Sequence, residues 1–342
     1  MVPGYVILDE FDIPGRFVDI VRDSRGFIND TSVVTFRHLG CDTRYVLQRV
    51  NHNVFRYPED VMENLRIISS HCRTRDPSCR MAEIVPTRSS HDFFRDEDGN
   101  VWRLLTYIEN AVSYDRVLNP AHAEQCGRVL GRFLDLVSDI EPSSLKTTIP
   151  GYHLPSNYLH LYDEAPKREA PLDLVEFIEK RRAAALEVEE AEAKGIISRR
   201  IVHGDPRVNN IMLDEHTGEG VAMIDLDTAG PGLVQMDVGD AVRSICNPAG
   251  EDVQIVEDVA FRADVYAAFM KGFYREADHF LTEEDRFYIS KAIRILPFEL
   301  GLRFFTDHLN GDRYFKVSSH GQNLRRAMGQ FRLCKMIEEK EL

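Results

Sequence analysis

What the chain lacks narrows its class first. No run of about 18 consecutive apolar residues occurs, so no membrane-spanning helix is expected. The six cysteines, Cys41, Cys72, Cys79, Cys126, Cys246 and Cys334, are scattered, and no CxxC pair is present. Neither a zinc cluster nor a disulfide scaffold fits that spacing. The opening MVPGYVILDEFDIPG has early acids and no basic segment ahead of an apolar core, so it does not read as a signal peptide. A cytoplasmic location is expected. Bases are outnumbered, 42 Lys and Arg against 56 Asp and Glu, for a net charge of −14. That balance argues against general affinity for nucleic acid or an anionic membrane. It suits a neutral or cationic small molecule. No GxxxxGK[ST] and no GxGxxG after a strand occur, which disfavours a P-loop ATPase or a dinucleotide enzyme. HExxH and a catalytic GxSxG are also missing.

What is present is an ordinary globular composition over 342 residues, enough for one large domain or two lobes with a sizeable core. The most informative stretch is 201–231, IVHGDPRVNNIMLDEHTGEGVAMIDLDTAGP. Two short apolar runs, 211–213 and 221–224, flank a Gly-containing polar turn, the pattern of a β-hairpin. Hairpin turns favour Asp and Gly, which accounts for Asp214, Gly218 and Gly220. It does not account for the acids and amides at the hairpin's ends. These are spaced His203-x-Asp205-x4-Asn210, with Asp225 following the second run. A carboxylate to take a hydroxyl proton, an amide oxygen and a second carboxylate suit phosphoryl transfer. That chemistry is mostly positioning plus charge neutralisation. Mg2+ there prefers hard oxygen ligands and takes only one or two from the protein.

HGDPRVNN followed by MIDLD resembles the catalytic loop and metal-binding segment of the aminoglycoside phosphotransferase family, small-molecule kinases with a protein-kinase-like fold. The longer string at 223–243, MIDLDTAGPGLVQMDVGDAVR, resembles the N-acetylhexosamine 1-kinase branch, which often reads HND where this chain has His203-Gly204-Asp205. GFINDT at 26–31 and GLRFFTDHLNGDRYFKV at 301–317 resemble the same branch. The resemblance implies an α+β, two-lobed fold: a small five-stranded antiparallel-sheet N-lobe over residues 1–108 and a larger, mainly helical C-lobe over 109–342. It implies ATP as phosphoryl donor, Mg2+ as cofactor and a sugar as acceptor, best guessed as O1 of an N-acetylhexosamine.

The resemblance assigns roles by position. Asp205 orients the acceptor hydroxyl, and His203 braces the loop. Asn210 and Asp225 hold Mg2+, with Asp227 assisting. The turn around Gly26 covers the phosphates, with Thr31 nearby, and Asn29 and Asp30 lie between nucleotide and sugar. The strand RYVLQRV at 44–50 lacks the usual kinase lysine, and Arg49 is expected in its place. Arg49 shares a face with Tyr45 and Leu47 by the period of two. Glu63, on an amphipathic helix opened by Pro58, is expected to pair with it, with Glu59 as the rival. Tyr107, Ile108 and Glu109 form the hinge that meets the nucleotide base. His153, without a partner in sequence, and Arg303 are candidate acceptor contacts. Arg303 also has Asp307 four residues on, an intrahelical pair. Asp237 and Asp240 are read as braces for the catalytic loop. Other acceptors fit the family: an aminoglycoside, a choline-like amino alcohol or homoserine. A non-catalytic binding module is the alternative of another class, kept open by the missing lysine.

Overall fold

The computed structural model describes residues 7–23, 29–167 and 170–340. The first part is an antiparallel sheet of β1 (Arg16–Asp23), β2 (Asp30–His38), β3 (Cys41–Val50), β4 (Ile84–Val85), β5 (Phe94–Arg95) and β6 (Val101–Thr106). The order is β1-β2-β3-β6-β4, and β5 also pairs with β6. Six strands rather than five arise because the chain between β4 and β6 folds back, setting Phe94 opposite Trp102 and Arg95 opposite Val101.

Alternation decides what each face carries. Val34, Phe36, Tyr45, Leu47 and Leu104 point to one side and close over Ile7, Leu8 and Phe11. Val46 points to the other side and packs on the main core. Gln48 lies two residues on, directly opposite Arg103 of β6. Helix α1 (Pro58–Arg75) starts with Pro58 in its first turn and the acids Glu59 and Asp60 behind it, both favoured at a helix N-terminus. Leu65, Ile68 and Cys72 of α1 join the main core.

The rest is mainly helical. In order come β7 (Ala111–Ser113), α2 (Pro120–Leu136), α3 (Pro155–Glu164), α4 (Leu172–Ala185), α5 (Glu187–Ala193), β8 (Arg200–Val202), β9 (Ile211–Asp214), β10 (Gly220–Met223) and β11 (Gly230–Gly232). Helices α6 (Val234–Ile245), α7 (Ala263–Ala277), α8 (Glu283–Leu309) and α9 (Gln322–Glu338) follow. The charged run at 172–193 is two helices rather than one, meeting at Leu186. The expected hairpin is β9–β10, with β7 added beside β9. Its turn is fixed by the Asp214 carboxylate, which accepts from the amides of His216 and Thr217 at 3.0 and 2.9 Å. Among the described residues no helix is long and apolar enough to cross a membrane.

Helices α2 and α7 cross with their main chains in contact. A Cβ at Gly127 would collide with the carbonyl oxygen of Phe269, and one at Gly272 with that of Glu124. The hairpin leans on the same crossing, since the amide of Gly220 donates to the Gln125 side chain of α2 at 3.0 Å.

Candidate active site

The catalytic loop is held by its own backbone. After β8 the chain turns sharply at Gly204, whose φ is +83°. A Cβ there would lie 2.7 Å from the carbonyl oxygen of Thr228, so glycine is required on both counts. The buried Asp237 carboxylate of α6 accepts from the amides of His203 and Gly204 at 2.7 and 2.8 Å. Burial raises this carboxyl to about 7, against the pull of those two amides. The Thr228 hydroxyl donates to the carbonyl of His203 at 2.9 Å. The bracing role expected of Asp237 thus has a geometry. Asp240 instead accepts from Arg243 at 2.8 Å on the same helix.

His203 is fully buried and works as a neutral brace. Its Nε2–H donates to the carbonyl of Ile224 at 3.0 Å, and its Nδ1 accepts from the amide of Asp205 at 3.2 Å. Burial pushes its pKa down to about 4. The ring therefore ties the catalytic loop to the residue before Asp225. Asp205 receives both arms of Arg207, at 2.7 and 3.0 Å, and the Asn210 side-chain amide donates to its carbonyl at 2.8 Å. Burial opposes ionisation of Asp205, but the charge and hydrogen bonds of Arg207 prevail and hold its pKa below the usual range. Arg207 also lies 3.7 Å from Glu251, which pairs with Arg243 at 2.8 Å.

The two residues assigned to Mg2+ lie at the same end of the hairpin, where the amide of Ile224 donates to the carbonyl of Asn210 at 2.9 Å. Asn210 spends its NH2 group on Asp205, which leaves its amide oxygen for a cation. Asp225 has a left-handed backbone, φ +64°. Burial first, then the charges of Asp227 and Asp205, raise its pKa well above the usual carboxylate range. A carboxylate so crowded by negative charge is relieved by a cation. Among the described residues no three His, Cys, Asp or Glu side chains form a metal cage. One amide oxygen and one carboxylate nevertheless fit Mg2+ when phosphate and water complete its shell. Asp227 is committed elsewhere. It pairs with Arg103 at 2.6 Å and accepts from the Asn29 amide at 2.7 Å.

On the other side of Gly204, His153 is paired rather than free, contrary to expectation. Its Nδ1–H donates to Glu299 of α8 at 3.0 Å and its Nε2–H to the carbonyl of Gly204 at 2.9 Å. Both nitrogens donate, so the ring is an imidazolium. Burial works against that charge, but Glu299's charge and hydrogen bond outweigh it and lift the pKa to about 8. Arg303, one helical turn beyond Glu299, does not pair with Asp307. That carboxylate accepts instead from the amides of Arg313, Tyr314 and Phe315, at 2.8 to 3.0 Å. Arg303 lies 5.3, 5.0 and 5.6 Å from the rings of Tyr152, Tyr158 and Phe315. No described carboxylate is within ion-pair distance of it.

The sheet side departs most from expectation. Arg49 does not pair with Glu63. Its guanidinium binds Asp30 and lies 5.9 Å from the Trp102 ring, on the face of β3 opposite Gln48. Glu63 makes no ion pair among the described residues, and the rival Glu59 takes Arg95 at 2.7 Å. The helix is anchored by the neighbouring, buried Asn64. Its NH2 donates to the carbonyls of Lys146 and Ala229 at 2.8 and 3.0 Å, and its oxygen accepts from the amide of Lys146.

On the inner face Thr31 accepts from Gln48, which accepts from Arg103. Asn29 also accepts from the amide of Asn51 at 3.0 Å. Gly26 lies outside the described residues. At the hinge, Ile108 is buried with Met212 and Ala222. Arg44 lies 4.1 Å from the Tyr107 ring and pairs with Glu109. Arg103, Gln48 and Glu299 were missed from sequence. Glu299 had a signal, lying four residues before Arg303 and so on the same helix face.

Comparison with known proteins agrees with this architecture. An aminoglycoside phosphotransferase from Alicyclobacillus acidocaldarius superposes with a TM-score of 0.65 at 14% identity, covering 99% of this chain and 96% of its own. A microcompartment-associated aminopropanol kinase gives 0.69 at 14% identity, covering 98% and 95%. An ethanolamine kinase from Plasmodium vivax gives 0.58 at 16% identity, covering 91% and 82%. The fold is the α+β, protein-kinase-like one. The profile of the phosphotransferase enzyme family matches residues 19–273, well over half of the sequence. The chain belongs to that family, and it is an enzyme that transfers a phosphoryl group to a hydroxyl acceptor.

Proposed function

We propose that this enzyme moves the γ-phosphoryl group of ATP to a hydroxyl of a neutral sugar. O1 of an N-acetylhexosamine is the first acceptor to try. The donor binds between a lobe of residues 1–108 and a lobe of 109–342, with Tyr107, Ile108 and Glu109 at the base. Asp205 receives the acceptor hydroxyl. With its pKa held down by Arg207, it acts more by aiming the oxygen than by basicity, which suits a loose transition state. Asn210 and Asp225 would hold Mg2+, which supplies charge neutralisation on the phosphates when bound. His203 and Asp237 fix the loop so that Asp205 and Asp225 keep their separation.

The observation that carries the choice of acceptor is Arg303. Of the carboxylates on that side, Asp205 has Arg207, Asp240 and Glu251 have Arg243, and Glu299 has His153, while Asp237 and Asp307 are held by main-chain amides. Arg303 has no carboxylate within ion-pair distance among the described residues and lies against the rings of Tyr152, Tyr158 and Phe315. A guanidinium without a carboxylate partner favours an acceptor rich in hydroxyl or carbonyl oxygens and opposes a cationic one. The branch resemblance at 223–243 and 301–317 points the same way. A cationic amino alcohol is the second reading, favoured by the net charge of −14 and by the names of the aminopropanol and ethanolamine kinases.

The test is donor consumption across N-acetylhexosamines, hexoses, aminoglycosides and amino alcohols, with the product's phosphate located by phosphorus–proton coupling. Asp205→Asn should lower turnover by about 100- to 10,000-fold, the range for a positioned proton acceptor, while nucleotide binding persists. Phosphate on C1 of a sugar supports the reading. Turnover of amino alcohols alone overturns the acceptor, and a fully active Asp205→Asn overturns the role of Asp205.

A further inference from the structure

The usual N-lobe lysine is absent from β3, and Arg49 faces away from the inner side. The cation on that side comes from the next strand. Arg103 stands directly opposite Gln48 in the β3–β6 register. Its side chain is 1% exposed, against 44% for Arg49. Its Nε donates to Gln48 at 2.9 Å, and one terminal nitrogen meets Asp227 at 2.6 Å. The other terminal nitrogen is buried and has no partner.

We propose that Arg103 is the residue of the sheet that binds a nucleotide phosphate oxygen, with its unpartnered nitrogen as the donor. A buried donor left unmade costs about 1–3 kcal/mol, and more when charged. Such a group calls for an acceptor that arrives with the ligand. The neighbourhood fits that ligand. The ion pair with Asp227 at 2.6 Å ties Arg103 to the segment that carries Asp225, the residue assigned to Mg2+, beside the phosphates that metal would hold. The planar fork suits this task, because two of its nitrogens can stay on protein while the third is left for a ligand.

Gln48 and Asp227 then have a shared function. They fix the guanidinium plane, as a strand–helix ion pair would fix a lysine. Thr31 orients Gln48, and Asn29 orients Asp227. The outer pair of Arg49 and Asp30 has no part in it. The inference rests on the reading of the protein as a nucleotide-dependent kinase.

The experiment measures binding of ADP, GDP and their parent nucleosides, adenosine and guanosine, by calorimetry with Mg2+ present. It uses the full-length parent protein, Arg103→Gln, Arg103→Lys and Arg49→Ala, each checked for folding by thermal melt. Arg103→Gln should weaken the better-binding diphosphate at least tenfold and leave its nucleoside within twofold. Arg103→Lys should fall between, and Arg49→Ala should change neither by more than threefold. A purely structural Arg103 would weaken nucleoside and diphosphate together, or neither, and either result overturns the proposal. So does loss of diphosphate affinity in Arg49→Ala alone, or failure of both Arg103 variants to fold. A parent protein that binds no diphosphate would overturn the nucleotide-dependent reading itself, a different failure from a parent and an Arg103→Gln that bind alike.

Discussion

Two histidines grip the same turn of the catalytic loop from opposite sides, and they carry different charges. The ring of His203, on the Asp225 side, hydrogen-bonds only to main-chain groups, and burial keeps it neutral with a pKa of about 4. His153, on the acceptor side, meets one carbonyl and one carboxylate, and Glu299 keeps it charged at about 8 despite burial. The side chain is the same, and burial works against its charge in both places. The difference is a single carboxylate partner on α8. The Asp225 side is thereby spared a positive charge, which suits the Mg2+ proposed there. The acceptor side gains a fixed cation that holds the Gly204 carbonyl without using Arg303.

Breaking the turn that both rings hold should have the largest effect. Gly204→Ala adds a Cβ where φ is +83° and the Thr228 oxygen is 2.7 Å away. Misplacing a reacting group by about 1 Å can cost about 100-fold in rate. Turnover should fall at least that far while nucleotide affinity, by calorimetry, changes little. Wild-type turnover in this variant would mean that the turn does not position Asp205.

The next test sharpens the contrast through pH. A histidine whose pKa is raised on folding stabilises the native state below its unfolded value near 6.5, and the gain is lost as pH rises through its folded value. From about 6.5 to about 8, the gain for His153 is about 2 kcal/mol. Chemical denaturation at pH 6 should therefore find His153→Gln less stable than the parent by roughly that amount, the gap closing by pH 9. Asp240, Arg303 and Asp237 also act on this ring electrostatically, so each should stay intact in the comparison. A gap that ignores pH would show that the ring is neutral.

The other histidine should carry the opposite slope. His203 is depressed, so the native state binds fewer protons than the unfolded chain between about pH 4 and 6.5. The parent gains stability as pH rises through that window and is flat above it. The stability difference from His203→Gln should follow, shrinking on acidification and constant from pH 7 to 9. Parallel slopes for the two variants would erase the distinction between the rings.

The clustering of the loop residues was legible in sequence because it is local. His203, Asp205, Asn210 and Asp225 lie within one hairpin and its approach, and their spacing fixes which can meet. The sheet was legible as strands, and alternation correctly placed Arg49 with Tyr45 and Leu47. What alternation does not say is which face looks inward. The 7–11 segment covers the Tyr45–Leu47 face, so the inner position passed to Gln48. Arg103 became visible only with the register that sets it opposite Gln48, a pairing 55 residues apart in the chain. The same limit applies to His153, whose partner Glu299 is 146 residues away. Composition gave no hint that its charge would be decided there.

The crossing of α2 and α7 bears on how this protein can change over generations. A side chain that outgrows its niche can be matched by a smaller neighbour, and solved relatives at 11–16% identity have had ample room for such exchanges. A carbonyl oxygen cannot shrink. Where Gly127 and Gly272 meet main chain, no second substitution nearby restores the fit. The only relief is a shift of one helix along the other. The β10 strand leans on α2 through Gln125, so that shift would carry the strand leading to Asp225 with it. Two glycines of a helix crossing thus limit the paths by which the hairpin can drift.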